Sequence, residues 1–300
     1  MNSIIAPGNT AHASIGRLCP FMLDNIPIRG RVLRIDDLVS QIPSLTKHDA
    51  VIGQCLAELL AAATVMANDL KQGADVTIQI HSDGPASLLV AQCSHNGSLK
   101  AYCNKDDSEK AITFKDIATD KSMLVVTIKF AGKEDVFQSM VALNKTSVSS
   151  SLEQYFEESV QLKTCIRVLT ERDGDRMPVG ALFIQATPQE DDASEDDWTR
   201  MAAILDTLTA EETLPGKIHE RELLRRLFAE DTVRIFPETS LNFVVSDMQD
   251  RMERALISLG ADQCKNLLEE GPIEMTCEFT GITKTFSETD LEKLFGESWI

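Results

Sequence analysis

The chain has 300 residues, of which 43% are hydrophobic, so it can bury a core in two domains or in one large domain with an appendage. Its formal net charge of −18, from 47 acidic residues against 29 Lys and Arg, predicts no binding to nucleic acid or to anionic membranes. The N-terminus lacks a signal-peptide pattern and the most apolar stretch, 57–67, is too short for a membrane span, so we expect a cytoplasmic protein.

The cysteine pattern does not indicate a disulfide framework. The count is odd, the cysteines are widely scattered, and the chain shows no secretory signal. We expect most of these thiols to be small buried side chains. The seven cysteines are Cys19, Cys55, Cys93, Cys103, Cys165, Cys264 and Cys277.

The first part of the chain alternates strands and helices. Residues 26–36 are rich in β-branched side chains, which favours a strand, and residues 48–70 place apolar side chains at helical spacing, which predicts one long buried helix. This pattern indicates an α+β domain, which we place at 1–188. Further strands are predicted within 75–82, 86–104, 122–130 and 178–188, and a further helix from 151.

The dipeptide Asn96-Gly97 predicts a two-residue hairpin turn within 86–104. In that register Cys93 and Cys103 point to opposite faces of the sheet. The spacing of Cys93, His95 and Cys103 superficially resembles a set of metal ligands, but side chains on opposite faces cannot share an ion. We therefore expect two core thiols rather than a metal site or a Cys-His nucleophile.

The composition changes at "PQEDDASEDDW", residues 188–198, where six acidic residues surround no apolar side chain larger than Ala193. Such a run is solvated and cannot pack, so we place a domain boundary there and assign 189–240 to an acidic, amphipathic helical linker. Two short helices in this linker carry apolar side chains at helical spacing. We call these side chains the linker stripe: Trp198, Met201, Leu205, Leu208, Leu223, Leu227 and Phe228.

The last sixty residues predict a small helix-and-hairpin domain, 241–300. Ser246 is a candidate cap for the first helix, Gly260 and Gly271 end the first and second helices, and Ser287 with Asp290 predicts a capping box for the last. A hairpin is predicted within 273–286, and a unit this small needs a staple or a docking surface. The side chains expected to face inward from the first helix are Met248, Met252, Ala255, Leu256 and Leu259.

No catalytic motif accompanies these elements. The sequence has no P-loop, no dinucleotide-binding glycine motif, no H-E-x-x-H and no G-x-S-x-G, and it has five histidines in all. We therefore predict that the protein is not an enzyme and has no catalytic residues.

Seven stretches occur in order along nearly the whole chain: "IPIRGRVLRID", "ADVTIQIHSDGPASLLVAQC", "SLEQYFEESVQLKTCIRV", "GALFIQATP", "RELLRRLFAEDTVRIF", "LNFVVSDMQDRMERAL" and "GPIEMTCEFTG". Together they resemble the redox-regulated 33 kDa chaperonin family, which are bacterial holdases. The resemblance implies an α+β fold with a large N-terminal mixed sheet-and-helix domain, a metastable helical linker and a small C-terminal domain. In that family the C-terminal domain holds zinc through four thiolates, arranged as C-x-C and C-x-x-C.

The matching positions in this chain are Val245 and Asp247 for the first thiolate pair and Cys277 and Thr280 for the second. A structural zinc site needs about four good ligands, and one thiolate with a lone carboxylate falls well short of that number. We therefore expect a degenerate zinc site that holds no metal, and no other cofactor.

The resemblance implies an ATP-independent holdase that binds unfolding client proteins and prevents their aggregation under heat or oxidative stress, with homodimerisation on activation. Because the four-cysteine switch is lost, activity is expected to be constitutive or triggered by heat. The linker stripe is expected to pack in the resting protein and to bind clients when it is released.

Two alternatives stay open. Cys264 and Cys277 are a candidate redox pair that substitutes for the lost thiol switch. A different class of function is a non-chaperone protein-interaction module that uses the acidic linker to bind one partner. Suppression of aggregation for several unrelated clients would favour the holdase, whereas one stoichiometric partner would favour the module.

Overall fold

The computed structural model describes residues 16–70, 73–106, 112–187, 193–243, 248–277 and 283–296. Over these residues it combines two antiparallel sheets, a small hairpin and helices that pack on them, which confirms the predicted α+β class.

The first sheet has strand order β10-β1-β2-β9-β8, and β11 also pairs with β1. All of its pairings are antiparallel. Its strand β10 and all but the last residue of β11 come from the segment predicted to be a linker, 189–240. Its strands are β1 (Gly16–Leu23), β2 (Ile28–Ile35), β8 (Thr164–Thr170), β9 (Val179–Ala186), β10 (Val233–Ile235) and β11 (Thr239–Leu241).

The second sheet is antiparallel with strand order β5-β4-β3-β6-β7. The strands predicted from the sequence in this region are confirmed, and β7 adds an edge strand that the sequence did not indicate. Its strands are β3 (Ala74–His81), β4 (Ala86–Cys93), β5 (Leu99–Lys105), β6 (Met123–Phe130) and β7 (Val136–Ala142).

The long helix predicted within 48–70 is confirmed as α1 (Ala50–Asp69), and it shares one apolar core with both sheets. A helix that is apolar on all sides has to be buried. By length and composition alone α1 could cross a membrane, but 83% of the relevant window is buried inside the protein. The core therefore accounts for its apolar composition.

The remaining helices of this region are short. A 3-10 turn spans Pro43–Lys47 and α2 spans Phe114–Ile117, while α3 (Val148–Tyr155) continues into one π-helical turn, Phe156–Val160. The helix begins before the predicted residue 151 because the Ser147 side chain accepts a hydrogen bond from the backbone of Ser150.

The hairpin between β4 and β5 differs from the prediction. Its loop has three residues, 95–97, with Gly97 at φ +83°, so Cys93 pairs with Leu99. One extra loop residue shifts the register by one position and exchanges the two faces of the strand. The prediction that Cys93 and Cys103 face opposite ways is wrong, because both contact the core that contains α1. Cys103 pairs with Leu89, which is four positions from Cys93 along β4, so the two cysteines lie about 13 Å apart along the sheet. That distance is too long for both thiols to bind one ion.

The predicted linker contains three helices, α4 (Glu195–Asp206), α5 (Ala210–Thr213) and α6 (Glu220–Leu227). The first begins at a capping box in which Ser194 and Asp197 satisfy each other's backbone amides. These helices lie against the first sheet, and β10 and β11 follow them along its edge.

The C-terminal region has its own small apolar cluster, and the capping box predicted at Ser287 and Asp290 is confirmed. Ser246 lies outside the described residues, as does the side chain of Met248. Met252 and Leu256 are buried as predicted, whereas Ala255 and Leu259 are exposed. The few helices of this region cover only part of the apolar face of their helix. The elements are α7 (Met248–Leu259), α8 (Ala261–Glu270), β12 (Ile273–Thr276), β13 (Thr283–Phe286) and α9 (Glu288–Phe295).

Candidate functional site

The first sheet has two apolar faces because its central strands are buried on both sides. Along β1, Leu18 belongs to the core shared with α1, while Cys19 and Phe21 belong to a second, separate cluster. A strand alternates its side chains between faces, so one face of this sheet packs on α1 and the other on the linker helices. We call this second set the outer face: Cys19, Phe21, Leu23, Ile28, Val32, Leu182 and Ile184.

The linker stripe covers the outer face. All seven stripe residues lie in the same apolar cluster as the outer face; six are buried and Leu227 is half-buried. The structure therefore brings together every residue that the sequence assigned to the stripe. Fully burying a side chain of this size contributes about 1.5–3 kcal/mol, so the cluster as a whole strongly favours the docked linker.

A close contact between aromatic rings lies within this interface. The ring centroids of Phe21 on β1 and Phe228 after α6 are 5.5 Å apart. Phe21 pairs across the sheet with Gly30, and a Cβ atom at Gly30 would overlap the Phe21 ring. The absence of a side chain at Gly30 is what lets Phe21 lie flat on β2 and meet Phe228.

A buried arginine fixes the linker to the sheet. Arg34 on β2 donates from Nε to the carbonyl oxygen of Thr213 at 3.0 Å, from Nη2 to that of Glu212 at 2.9 Å, and from Nη1 to that of Ile218. Its Nη1 also lies 3.2 Å from Oε1 of Glu220, and both side chains are 2% exposed. Desolvation lowers the pKa of Arg34, and Glu220 is its principal opposing charge. We call Arg34, Glu220 and these three carbonyl groups the arginine latch.

The backbone of α5 approaches the sheet closely beside the latch. Gly180 on β9 pairs with Arg34, and a Cβ atom at Gly180 would overlap the Thr213 carbonyl group. A glycine at this position therefore allows the linker backbone to come within hydrogen-bonding distance of Arg34.

Exposed ion pairs surround the interface. Arg167 contacts Asp206, with Nε 3.0 Å from Oδ1, and Lys163 contacts Glu195. A bidentate pair within the linker differs from these, because Arg200 contacts Asp231 at 2.7 and 2.8 Å and the Asp231 side chain is 1% exposed. Exposed pairs contribute little to stability, so apolar burial and the arginine latch determine the docking energy.

The geometry describes a large apolar interface between a sheet and the helices of the predicted linker. A family model described as Hsp33 protein matches residues 16–287. The chain belongs to the Hsp33 family. Hsp33 proteins are chaperones rather than known enzymes, so the function of this chain is that of a chaperone.

Individual relatives agree with this assignment. The 33 kDa chaperonin of Nitrosococcus oceani is 30% identical over 278 residues, covering 92% of this chain and 93% of the relative. That of Hahella chejuensis is 31% identical over 282 residues, covering 92% and 95%. The crystal structure of the Thermotoga maritima 33 kDa chaperonin has a similar fold, with a TM-score of 0.73 at 19% identity over 94% of this chain and 97% of that one.

The residues at the positions that the resemblance assigns to zinc do not supply four thiolates. Val245, Asp247 and Thr280 lie outside the described residues, and their side chains supply no thiolate. Cys277 is a half-buried free thiol in the small C-terminal cluster. One thiolate is too few for a structural zinc ion held by cysteine.

The second candidate thiol lies in the same small cluster. Cys264 on α8 is fully buried, and its Sγ lies 3.7 Å from the Leu256 carbonyl oxygen. Burial raises the pKa of Cys264, which disfavours the reactive thiolate form. Both Cys264 and Cys277 are free thiols in this structure.

The interface also contains thiols of low reactivity. Burial, reinforced by the nearby carboxylates of Glu238 and Glu220, raises the pKa of Cys19 to about 11. Burial likewise raises the pKa of Cys165 to about 11. Both are almost entirely protonated near neutral pH and behave as apolar packing groups.

Sequence reasoning missed the arginine latch and the two strands that follow it. In "RGRVLRI", Arg34 occupies a position that alternates with Val32 on one face, and an arginine on an apolar strand face indicates a buried polar partner. That pattern was the available signal. The strands β10 and β11 have three residues each, too few to show alternation.

Proposed function

We propose that this protein is an ATP-independent holdase of the cytoplasm that binds unfolding proteins through the linker stripe and the outer face. The observation that carries the proposal is the mutual burial of these two apolar surfaces. When the linker leaves the sheet, both become available at once. Its clients are unfolding proteins, not nucleic acid or membranes, in keeping with a net charge of −18.

The chemistry of the two surfaces suits varied clients. They offer aromatic, branched and Met side chains without a fixed pattern of hydrogen-bond donors, so binding depends on apolar area rather than on a particular sequence. A surface on a mobile segment can also repack around different partners.

We infer that heat, rather than zinc release, frees the linker. The zinc positions lack the thiolates that an oxidative switch needs. In its place, the linker is held by apolar contacts, the arginine latch and two three-residue edge strands, which are contacts that heat can break. Segments with short strands and exposed hydrogen bonds open at lower free energy than the core.

The domain division that goes with this mechanism is a core domain at 1–188, a linker at 189–240 and a degenerate zinc-type domain at 241–300. Activation would detach the linker from the core domain and loosen the C-terminal domain. The apolar surface that this frees would support a homodimer, as the family resemblance implies.

An alternative form of the proposed holdase function assigns oxidant sensing to Cys264 and Cys277. Their presence in one apolar cluster supports it, and the buried state of Cys264 opposes it. Peroxide sensitivity that survived in Cys264→Ala would eliminate this version.

Photo-crosslinking on α6 tests the client-binding surface. A photoreactive amino acid at Leu227, in the stripe, is compared with one at Arg225, which is exposed on the same helix. On heating with an aggregating client, we expect crosslinks from position 227 and few from position 225. Suppressed aggregation with equal crosslinking from both positions would show that the stripe is not the binding surface.

A further inference from the structure

Three side chains with metal-binding atoms meet beside the arginine latch. His219 is the N-cap of α6, Glu220 is its first residue, and Glu238 lies in the connection between β10 and β11. One imidazole nitrogen and two carboxylate oxygens of these residues lie within 4.8 Å of one another, the one group of this kind that we find in the described part of the chain.

Glu220 has an oxygen that the latch does not use. Its Oε1 accepts from Arg34, whereas its buried Oε2 has no hydrogen-bond partner. That oxygen faces the His219 ring, with Nδ1 at 3.6 Å. A buried carboxylate oxygen without a partner is costly, and a cation on the side of His219 would offset that cost.

We propose that His219, Glu220 and Glu238 bind a divalent transition-metal ion, of which Zn²⁺ fits best. Zinc accepts one imidazole and two carboxylates readily, with a water molecule as fourth ligand, whereas Mg²⁺ and Ca²⁺ prefer oxygen donors alone. Tetrahedral zinc at bond lengths near 2.1 Å places its ligand atoms about 3.4 Å apart. The distance between His219 Nδ1 and Glu220 Oε2 is already close to that value.

Two of the three ligands are exposed and the third is held in place. Glu220 is buried and held by Arg34, which acts as an outer partner to the carboxylate, while His219 and Glu238 are exposed and can close on the ion. His219 Nδ1 accepts the backbone N–H of Arg221 at 3.2 Å, and coordination through Nδ1 would use the same lone pair, so the ion would take the place of this cap while Nε2 keeps its proton. The two glutamates face the ion and Arg34, and Arg17, whose Nε lies 3.9 Å from Glu220 Oε1, is a further positive charge beside the site.

A metal ion at this site would affect the docking of the linker. The ion would connect the first turn of α6 to the connection between β10 and β11, and both strands pair with β1. Metal binding would therefore stabilise the docked linker. Its effect on chaperone activity rests on the proposed function, whereas binding itself does not.

Competition with a chromophoric chelator for Zn²⁺ tests the site in the reduced, full-length protein. We compare the wild type with His219→Asn, which keeps an N-cap, and with Glu238→Gln. Glu211→Gln, an exposed acid at the start of α5, is the matched control. Because all four proteins have the same seven cysteines, zinc bound by thiols contributes equally to each and cancels in the comparison.

We expect the wild type and Glu211→Gln to bind one equivalent of Zn²⁺ at this site. The affinity for that equivalent should be at least tenfold lower in His219→Asn and in Glu238→Gln. The wild type should bind Mg²⁺ poorly. Equal zinc affinity in all four proteins would overturn the proposal. Zinc should also slow hydrogen exchange in 233–241 in the wild type and not in the two variants; exchange that zinc leaves unchanged would overturn the role in docking. A protein that binds zinc in this way but never suppresses aggregation would instead contradict the proposed function.

Discussion

Arg34 connects three separate parts of the linker to one strand. A guanidinium group presents five donors in a fixed planar fork, and here that fork meets three carbonyl groups and one carboxylate. Apolar contacts alone would tolerate several positions of the linker. The fork selects one of them, because any shift would leave buried carbonyl groups or Glu220 without a partner.

Replacing Arg34 with Met should destabilise the docked linker by about 3–5 kcal/mol, because Glu220 would remain as an uncompensated buried charge. Urea unfolding followed by Trp198 emission, in a Trp299→Phe background, measures the effect. The double variant Arg34→Met/Glu220→Gln should recover part of the loss. Arg225→Met, whose ion pair with Glu222 is exposed, should unfold like the parent. A loss in the double variant as large as in Arg34→Met would contradict the role assigned to the charge.

Two glycines should respond in opposite directions to replacement by alanine. Gly30→Ala should displace the Phe21 ring and weaken its contact with Phe228, at a cost of about 1–3 kcal/mol for overpacking. Gly53→Ala lies in α1 with only Met177 near its Cβ, at 3.7 Å, and should stabilise the protein by about 0.5–1 kcal/mol. Thermal unfolding measures both, and a stabilised Gly30→Ala would refute the packing argument.

Glu58 on α1 should make stability depend on pH. Its carboxylate accepts from Gln54 and Ser149, but desolvation dominates and raises its pKa above the ordinary value of 4.5. The native state therefore holds the proton more tightly than the unfolded chain. The stability from this group is complete below pH 4.5 and is lost as the pH rises through the raised native pKa.

Urea unfolding of the wild type and of Glu58→Gln, at several pH values from 4.5 upward, measures this contribution. Relative to the variant, the wild type should lose stability as the pH rises. Any hydrogen bond lost in Glu58→Gln is the same at every pH and cancels in the comparison of slopes. Parallel pH profiles would show that Glu58 does not titrate in this range.

At the scale of elements, the sequence predicted what periodicity and capping encode. The helix α1, the strands β2, β3, β6 and β9, and the capping box at Ser287 follow from apolar spacing and end signals. The linker stripe was also predictable, because its spacing reveals an apolar face.

What the sequence did not predict depends on partners distant in the chain. The strands β10 and β11 are too short to show alternation and exist only because β1 offers an edge. The loop at 95–97 has one residue more than Asn96-Gly97 suggested, which local composition does not distinguish. The meeting of His219, Glu220 and Glu238 likewise needs the strand return that puts Glu238 next to α6.

The linker helices should undock before the core unfolds, and a cavity in their interface should lower the temperature of undocking. Phe228→Ala removes a fully buried ring at a cost of about 3–5 kcal/mol. We expect a red shift of Trp198 emission, and the onset of aggregation suppression, at a lower temperature than in the wild type. Leu267→Ala, at an exposed position on α8, is the control and should change neither. An unchanged onset in Phe228→Ala would separate linker release from chaperone activity.

At the scale of the molecule, the protein has the Hsp33 fold, and the four positions that the resemblance assigns to zinc ligands hold one cysteine. The small C-terminal cluster has only five buried apolar residues among those described, so it contributes little stability of its own. On the proposed function, this small cluster and a linker that leaves the sheet would favour a response to temperature. On the proposed function, the net charge of −18 would oppose self-association of the opened protein.

The most direct test of this account is light scattering from a heat-aggregating client with the reduced or the peroxide-treated protein, alongside metal analysis of the same samples. The account predicts that the reduced protein suppresses aggregation once heated, and that peroxide adds little. It also predicts equal activity in a Cys264→Ser/Cys277→Ser variant. Suppression that appears only after peroxide treatment, and disappears in that variant, would contradict the central claim and make the two C-terminal thiols the switch.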